Sequence, residues 1–488
     1  MIIKKLIRNI NPVKITGRIS NNIKDIVYDS RQAKEGSLFI CIKGFKFNGH
    51  DFINCAVNNG AVAVLIEEEP AEYKKEITYI QVKDTRKVMG ELAAAFYDYP
   101  HKRLKLIGVT GTNGKTTTTY LIKTILDKAG YKTGLIGTIK NIIGEKTLPA
   151  TRTTPESLDL YELFARMVDE GVSHVVMEVS SHALDLNRVE GIRFQIAVFT
   201  NISQDHLDYH ESFQNYLQTK SRLFASVSED GFAVVNIDDN AAKAMIKASR
   251  GQVLCYGINN LADIQAEEIL LAANGVSFCV RGKREFNINL KLTGFFNIYN
   301  SLAAISCALA LGIDNPTIKT GLESLSGVDG RFELVNEGQD FTVVVDYAHT
   351  PDGMQNVLQT AREFVEGRII VVFGCGGDRD RGKRPLMGQV SARYGDFSVL
   401  TSDNPRSEEP LSILKDIEAG IKEINEDTAY EVMPDRREAI IFAVNKARRN
   451  DMVIILGKGH ENYQIFKDKT LSFDDRDVAR EAIRKRYK

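Results

Sequence analysis

From Leu104 onward the chain repeatedly joins a short, wholly apolar run to a glycine-rich or polar turn: LKLIGVTG, HVVMEVSS, QIAVFTNIS and GFAVVNIDD, with helical segments between them. Runs that are apolar at successive positions, unlike alternating ones, have no face to leave in water. They predict an α/β fold of mostly parallel strands covered by helices on both faces. After SGVDGRFE the pattern returns in FTVVVDYAHTPDG, RIIVVFGCGGDRD, DFSVLTSDNPR and DMVIILGKGHE. Each run ends directly in chemically loaded residues, and open α/β sheets bind ligands outside the carboxyl ends of their strands. Two such surfaces, facing each other, would enclose a cleft.

Shorter runs, SLFICIKG and AVAVLIEE, alternate with polar helical stretches in the first hundred residues and predict a small α/β unit ending near Tyr99-Pro100. At 488 residues the chain is too long for one core, and at about 150 residues per domain it divides into roughly three. The expected boundaries are 1–102, 103–330 and 331–488. The 63 basic and 64 acidic residues nearly cancel, so no overall field draws nucleic acid or a membrane surface, and any anion must be gripped locally. The charge run EEEPAEYKKE from Glu67 reads as a solvated loop. The 6 cysteines are scattered, without C-x-x-C pairs, and read as reduced core thiols of a cytoplasmic protein. Lysine and arginine interrupt MIIKKLIRNI too early for a signal-peptide core, and no apolar run approaches the ~18 residues of a membrane span.

GVTGTNGKTTTTY, from Gly108 to Tyr120, leads a strand through a glycine-rich turn into a helix. Backbone N–H groups of the turn, the helix N-terminus and Lys115 suit a phosphate, and the Thr116 hydroxyl suits Mg²⁺. Val109 stands where the usual phosphate-loop spacing has its first glycine. HVVMEVSSHALDLNR puts Glu178 at a strand end, where a carboxylate can ligate Mg²⁺, followed by Ser180, Ser181 and His182. TNISQDHLDYH then brings Asn201, Asp205, His206, Asp208 and His210 to what reads as the adjacent strand end. In ATRTTPESLDL, Thr154 reads as a helix N-cap with Pro155 at the first helical position. Asn297 and Asn300 read as caps of an alanine-rich helix. TSDNPRSEEP places Asp403, Asn404, Pro405 and Arg406 directly after a strand, with Arg379, Lys383, Gly457, His460 and Glu461 at neighbouring strand ends. These residue types suit an amino acid charged at both ends: a guanidinium pairs with a carboxylate through two hydrogen bonds, and Asp403 and Glu461 pair with ammonium groups.

The stretch Gly111-Thr112-Asn113-Gly114-Lys115-Thr116-Thr117, with its shifted glycine, resembles the ATP loop of the Mur ligase family, amide-forming enzymes of cell-wall precursor synthesis. Folylpolyglutamate synthetases share that superfamily, and both groups activate a carboxylate with ATP. The resemblance covers essentially the whole chain. It implies an N-terminal UDP-binding domain, a central ATP-binding domain and a C-terminal Rossmann-like domain for the amino acid. It implies ATP and Mg²⁺ as cofactors, with Asn297, Arg331, Asp346 and His349 near ATP. Lys220, by composition a surface lysine, matches a lysine that the family carbamylates with CO₂, giving an anion that bridges to a second Mg²⁺, with Glu178 and His206 as neighbouring ligands. Ser30, Thr153, Thr154, Ser180 and Arg188 match positions holding UDP-MurNAc-L-Ala-D-Glu. D-N-P-R is the recognition motif of family members that add meso-diaminopimelate, and Arg379, Gly457 and Glu461 are taken with it as amino-acid-binding residues. Arg406 would disfavour lysine, since lysine lacks the distal carboxylate and would strand a buried cation. A monomer is expected. A lysine-adding ligase, a folylpolyglutamate synthetase and a nucleotide-switched binding module stay open as alternatives, and either His206 or a carboxylate of its cluster as the general base.

Overall fold

The computed structural model describes residues 1–488 except 45–46, 273–274, 425–427 and 488, and of Leu207 and Asp208 only the backbone, so the Asp208 side chain lies outside the described residues. Among the described residues the strands form three main sheets. The first runs in the order Lys14–Thr16, Thr78–Gln81, Ala61–Ile66, Ser37–Ile40 and Asp25–Val27, parallel except for its first pair. Glu67, expected in a solvated loop, instead anchors the helix Thr85–Phe96: its Oε1 accepts from Thr85 N at 2.9 Å and Thr85 Oγ1 at 2.8 Å. This unit is tied to the middle one by Tyr28, whose hydroxyl donates to Asp159 Oδ2 at 2.7 Å.

The central sheet is parallel through its middle, in the order Ile264–Ala272, Gln252–Gly257, Val227–Asn236, Phe194–Phe199, Lys105–Thr110, His174–Glu178 and Thr133–Ile136, with antiparallel strands at both edges. Both faces are covered, as the apolar runs require. Leu106 packs into a core with Phe164, Met167 and Phe224, whereas its neighbours Ile107 and Val109 pack with Leu121 and Ile125 of the helix Lys115–Lys128 and with Leu302 of the helix Phe296–Ala310. The strand order corrects one expectation. The strands bearing Glu178 and Asn201 are not neighbours, because Lys105–Thr110 pairs with both and lies between them. The phosphate-loop candidate therefore emerges with a polar cluster on each side.

A third sheet runs Glu333–Leu334, Thr342–Asp346, Met452–Leu456, Ile369–Phe373, Phe397–Leu400 and Tyr430–Val432, parallel except for its first pair. Its ends carry Tyr347–His349, Gly457–Glu461, Cys375–Asp380 and Asp403–Arg406. Three smaller expectations differ from the structure. The helix after Thr154 begins at Ser157, with Glu156 as an N-cap that makes no side-chain cap bond. Asn297 and Asn300 are not caps, since the helix Phe296–Ala310 starts after Phe295, without a side-chain cap. All 6 cysteines are free, but Cys55 is exposed rather than in a core. No described helix is long and apolar enough to cross a membrane.

Candidate active site

The glycine-rich turn is shaped by what surrounds it. Gly114 has φ +83°, and a Cβ there would come within 2.4 Å of Asn300 Oδ1; any other residue would be strained and would collide. No side chain caps the helix Lys115–Lys128, so its first N–H groups face the turn, the arrangement that receives phosphate. Lys115 Nζ donates to the carbonyls of Gly111 and Thr112, both at 2.9 Å. Asn113 N donates to Asn201 Oδ1 at 2.9 Å, and Asn113 Nδ2 to Asp352 Oδ2 at 2.9 Å. Thr112 and Thr117 are buried beside them.

On one side of this loop Glu178, 1% exposed, is held by several donors. Thr116 Oγ1 lies 3.0 Å from both carboxylate oxygens, while Thr138 donates its N–H to Oε1 at 2.8 Å and its hydroxyl to Oε2 at 3.0 Å. Thr138 Oγ1 also sits 3.0 Å from Thr153 Oγ1. Thr154, instead of capping a helix, donates to Glu178 O at 2.8 Å and accepts from Ser180 N at 3.1 Å, which stitches the Thr153–Thr154 segment to the strand end. Glu156 gathers the guanidinium groups of Arg86, Arg152 and Arg188, and Arg188 also donates to Thr154 O at 3.0 Å.

On the other side, Asp205 Oδ2 lies 3.3 Å from His206 Nε2, and burial pushes the His206 pKa down, favouring the neutral ring. Lys220 is not on the surface. It is 1% exposed, donates from Nζ to Gly111 O at 2.9 Å and lies 4.5 Å from the Tyr216 ring centroid. Burial, and then the positive charge of Lys115, push its pKa well below the ordinary lysine value. Lys115 and Lys220 thus point two ammonium groups at one carbonyl oxygen.

The third sheet supplies the facing wall. Arg331 donates to Thr116 Oγ1 at 3.0 Å and stacks 4.5 Å from the Tyr347 ring centroid. Asp346 accepts from Phe332 N at 2.6 Å and Ala348 N at 2.7 Å, which shapes the turn, while burial pushes its pKa up. His349 Nδ1 bonds Tyr347 O at 2.9 Å, and Lys383 reaches His349 O at 2.9 Å. Between the walls lies a cavity of about 530 Å³ lined by the phosphate loop, Glu178, Ser180, His206, Arg331, Asp346 and His349. A second cavity, of about 390 Å³, is lined by Thr138, Arg152 and Thr153 from the middle unit and by His460, Glu461 and Tyr463 from the third.

Beyond the second cavity the D-N-P-R turn is packed tightly. Arg406 sits at φ +52° and donates from Nη1 to Gly377 O at 2.7 Å; burial, then the like charge of Arg379, lower its pKa. The Pro405 carbonyl abuts Gly377, where a Cβ would come within 2.0 Å. Asn404 Nδ2 donates to Glu461 Oε2 at 3.1 Å. Gly457, at φ +110°, leaves room for Asp403: a Cβ there would lie 2.8 Å from Asp403 Oδ2.

The turn 112–117, Thr153, Glu178, Ser180, His206, Arg331, Asp346, His349 and Glu461 line the two adjoining cavities; Gly111, Thr154, Arg188, Lys220, residues 403–406 and Gly457 line neither and pack behind them, and three further residues stand apart. Asn297 is spent on its own helix, donating to Thr293 O at 2.7 Å and accepting from Asn300. Ser30 lies in the first unit and lines neither cavity, although Tyr28, two residues earlier, touches the middle unit. Arg379 donates only to a neighbouring backbone carbonyl among the described contacts. Sequence reasoning missed Thr138, Asp352 and Lys458. Thr138 and Lys458 each follow a strand end by two residues, the same signal that singled out Asp403.

The donor set suits a hard divalent cation: a buried carboxylate, a threonine hydroxyl and a neutral imidazole nearby. No group of three or more His, Cys, Asp or Glu side chains that could hold a metal ion occurs among the described residues.

Sequence comparisons agree with this geometry. The models of the Mur ligase middle domain, the Mur ligase glutamate ligase domain and the Mur ligase family catalytic domain match residues 109–308, 330–459 and 22–97. The chain is 50% identical over 472 residues, 96% of each chain, to the UDP-N-acetylmuramoyl-L-alanyl-D-glutamate--2,6-diaminopimelate ligase of Caldanaerobacter subterraneus subsp. tengcongensis. It is 49% identical over 491 residues, 100% of each, to the protein of the same name from Syntrophomonas wolfei subsp. wolfei. A solved structure of a ligase with that name superposes with a TM-score of 0.68 at 33% identity, covering 100% of this chain and 99% of the other. The chain belongs to the Mur ligase family.

Proposed function

We propose that this chain is an ATP-dependent, ADP-forming ligase that joins meso-diaminopimelate to the D-glutamate side-chain carboxylate of UDP-MurNAc-L-Ala-D-Glu, a step of peptidoglycan precursor synthesis. One observation carries the reading: the two cavities share Thr138, Thr153 and Tyr347. A carboxylate held at the Thr153 segment is therefore within reach of the phosphate loop on one side and of an amino acid at Glu461 on the other.

In this reading the loop amides and Lys115 bind the ATP phosphates, with Lys115 leaving the carbonyls of Gly111 and Thr112 to do so. The γ-phosphoryl passes to the acceptor carboxylate, giving an acyl phosphate. The amine of diaminopimelate attacks the acyl carbon, and phosphate leaves from the tetrahedral intermediate. Chemistry of this kind rests mainly on positioning and on stabilising charge at the transferring group. Magnesium, held by Thr116 and Glu178 with His206 alongside, would supply that charge neutralisation. Ser180, Thr153, Thr154 and Arg188 hold the peptide arm, Ser30 serves the uridine end, and Arg331, Asp346 and His349 close the nucleotide site. Arg406 takes the distal carboxylate of diaminopimelate, and Asp403 and Glu461 its ammonium.

Lys220 fits carbamylation. Burial and the charge of Lys115 favour its neutral, nucleophilic amine; attack on CO₂ with loss of one proton gives an anion, which places an opposite charge beside the Lys115 ammonium. ATP use and unpaired cysteines support a cytoplasmic setting for the reaction. The test mixes protein, MgATP and UDP-MurNAc-L-Ala-D-Glu with either diaminopimelate or lysine, then measures phosphate release and product mass. Release requiring both the acceptor and diaminopimelate is expected; release without an amino acid, or equal turnover of lysine, would refute it.

A further inference from the structure

One side chain at the amino-acid end of the cleft is left without a role by the ligase reading. Lys458 lies two residues past the strand Met452–Leu456, and its side chain is 0% exposed. Lysine is almost never buried to this extent unless it is paired. Its Nζ lies 2.9 Å from Glu461 Oε2, 3.2 Å from Asn404 Oδ1 and 3.9 Å from Asp403 Oδ1, and 5.4 Å from the Tyr463 ring centroid. Asn404 closes the circuit by donating to the same Glu461 Oε2. Lys458 thus joins two loops that leave different strands and carry the residues assigned to the amino acid.

We propose that Lys458 is a specificity-determining residue that sets the net charge of the amino-acid pocket, an inference resting on the ligase reading above. Asp403 and Glu461 contribute two negative charges, and Arg406 and Lys458 two positive ones. Of the other charges nearby, Arg379 and Asp378 beside Arg406 cancel each other, Arg436 pairs with Asp475, and Arg152, Asp329 and Arg476 of the second cavity pair with Glu156, Lys140 and Asp474. The pocket is therefore formally neutral, which matches the distal end of diaminopimelate, an ammonium and a carboxylate on one carbon. Lysine brings the ammonium alone; it would add an uncompensated positive charge and leave Arg406 unpaired. With Lys458 removed, Asp403 and Glu461 face Arg406 alone, and the resulting excess negative charge would welcome a single cation. Arg406 attracts the right ligand; Lys458 withholds the second carboxylate from the wrong one.

The experiment measures kcat/KM for diaminopimelate and for lysine in three variants, with the KM for ATP as a control. Lys458→Met fills the same space without charge and should lower the diaminopimelate-to-lysine ratio at least about tenfold, the least expected of one unit charge at this range under protein-like screening. Glu461→Gln shifts the charge the other way and should raise the ratio. Lys458→Met/Glu461→Gln restores neutrality and should return the ratio towards the parent value even if turnover is slower. The KM for ATP should stay within about twofold throughout, because that site lies on the far side of the shared cavity wall. A merely structural lysine would not show opposite shifts or a rescue by a second substitution. An unchanged ratio in Lys458→Met, or a double variant no better than the single one, overturns the proposal. If Lys458→Met fails to fold, Glu461→Gln and the double variant still decide it: no rise in the first, or no parent-like ratio in the second, overturns it. The parent's own preference, measured first, tests the ligase reading separately, because a parent that ignores diaminopimelate sinks that reading whatever the variants do.

Discussion

Replacing Asp475 by asparagine should destabilise the third unit far more than its small change in shape suggests. Arg436 and Asp475 are both 0% exposed, and the guanidinium makes two bonds to the carboxylate, Nε to Oδ1 at 2.7 Å and Nη2 to Oδ2 at 2.6 Å. Asparagine opens no cavity, so packing contributes little. It does remove the counter-charge and turns an amide donor towards another donor. Breaking a buried pair by removing one partner costs roughly 3–5 kcal/mol. Two carbonyl acceptors remain to Arg436, Leu456 O at 2.9 Å and Ser402 O at 3.4 Å, which argues for the lower end, about 3 kcal/mol. The assay is urea unfolding followed by a probe in the third unit. Glu481→Gln serves as the control, because its pairs with Lys485 and Arg437 are solvent-exposed and screened, so its loss should change stability little. Arg436→Met/Asp475→Leu, which removes both charges, should recover most of the loss. Ser402 and Leu456 immediately precede Asp403 and Gly457, so Asp475→Asn should also raise the KM for the amino acid. An Asp475→Asn protein within about 0.5 kcal/mol of the parent, or a double variant as unstable as the single one, would refute the reasoning.

Other outcomes follow from the same geometry. Arg406→Ala should lower kcat/KM for diaminopimelate by about two orders of magnitude, the loss of one or two charge-assisted hydrogen bonds, while titration with an ATP analogue shows unchanged affinity. Thr138→Val removes the hydroxyl that bonds Glu178 Oε2 and Thr153; single-turnover phosphoryl transfer should slow by about fivefold, the equivalent of roughly 1 kcal/mol. Incubation with ¹³C-bicarbonate should give a carbamate carbon resonance that Lys220→Ala abolishes; a resonance persisting in the variant would exclude Lys220 as its site. Burial pushes His174 from the ordinary 6.5 down to about 4. Its neutral form therefore stabilises the fold fully above pH 6.5, and up to about 3 kcal/mol is lost as pH falls towards 4. His174→Leu should flatten the acid limb of the stability curve by about one proton, and parallel curves would contradict this.

Much of the fold was legible because the information was local. The strand Met452–Leu456 is apolar at every position and its neighbour Thr342–Asp346 at its three central ones, and such short runs suit the interior of a parallel sheet. The glycine-rich strand-to-helix turn was legible for the same reason: its glycines, Lys115 and Thr116 lie within one turn of backbone. The site's wiring was not, because its bonds join residues far apart in the chain. Thr154 looked like a helix cap until the fold brought its hydroxyl to the Glu178 carbonyl, and Lys220 looked exposed until its helix packed behind the loop, against Gly111 O.

By itself, then, the amino-acid order determined three α/β units, the strand ends that carry chemistry, and the residue types found there, since periodicity and turn chemistry act over a few residues. Only the tertiary structure decided that the phosphate-loop strand separates Glu178 from Asp205 and His206, that Asp352 reaches Asn113 across 239 residues, and that Lys458 closes on Asn404. Those choices depend on strand order and on the apposition of two sheets, which are settled by burying several apolar faces at once and leave no mark at any single position.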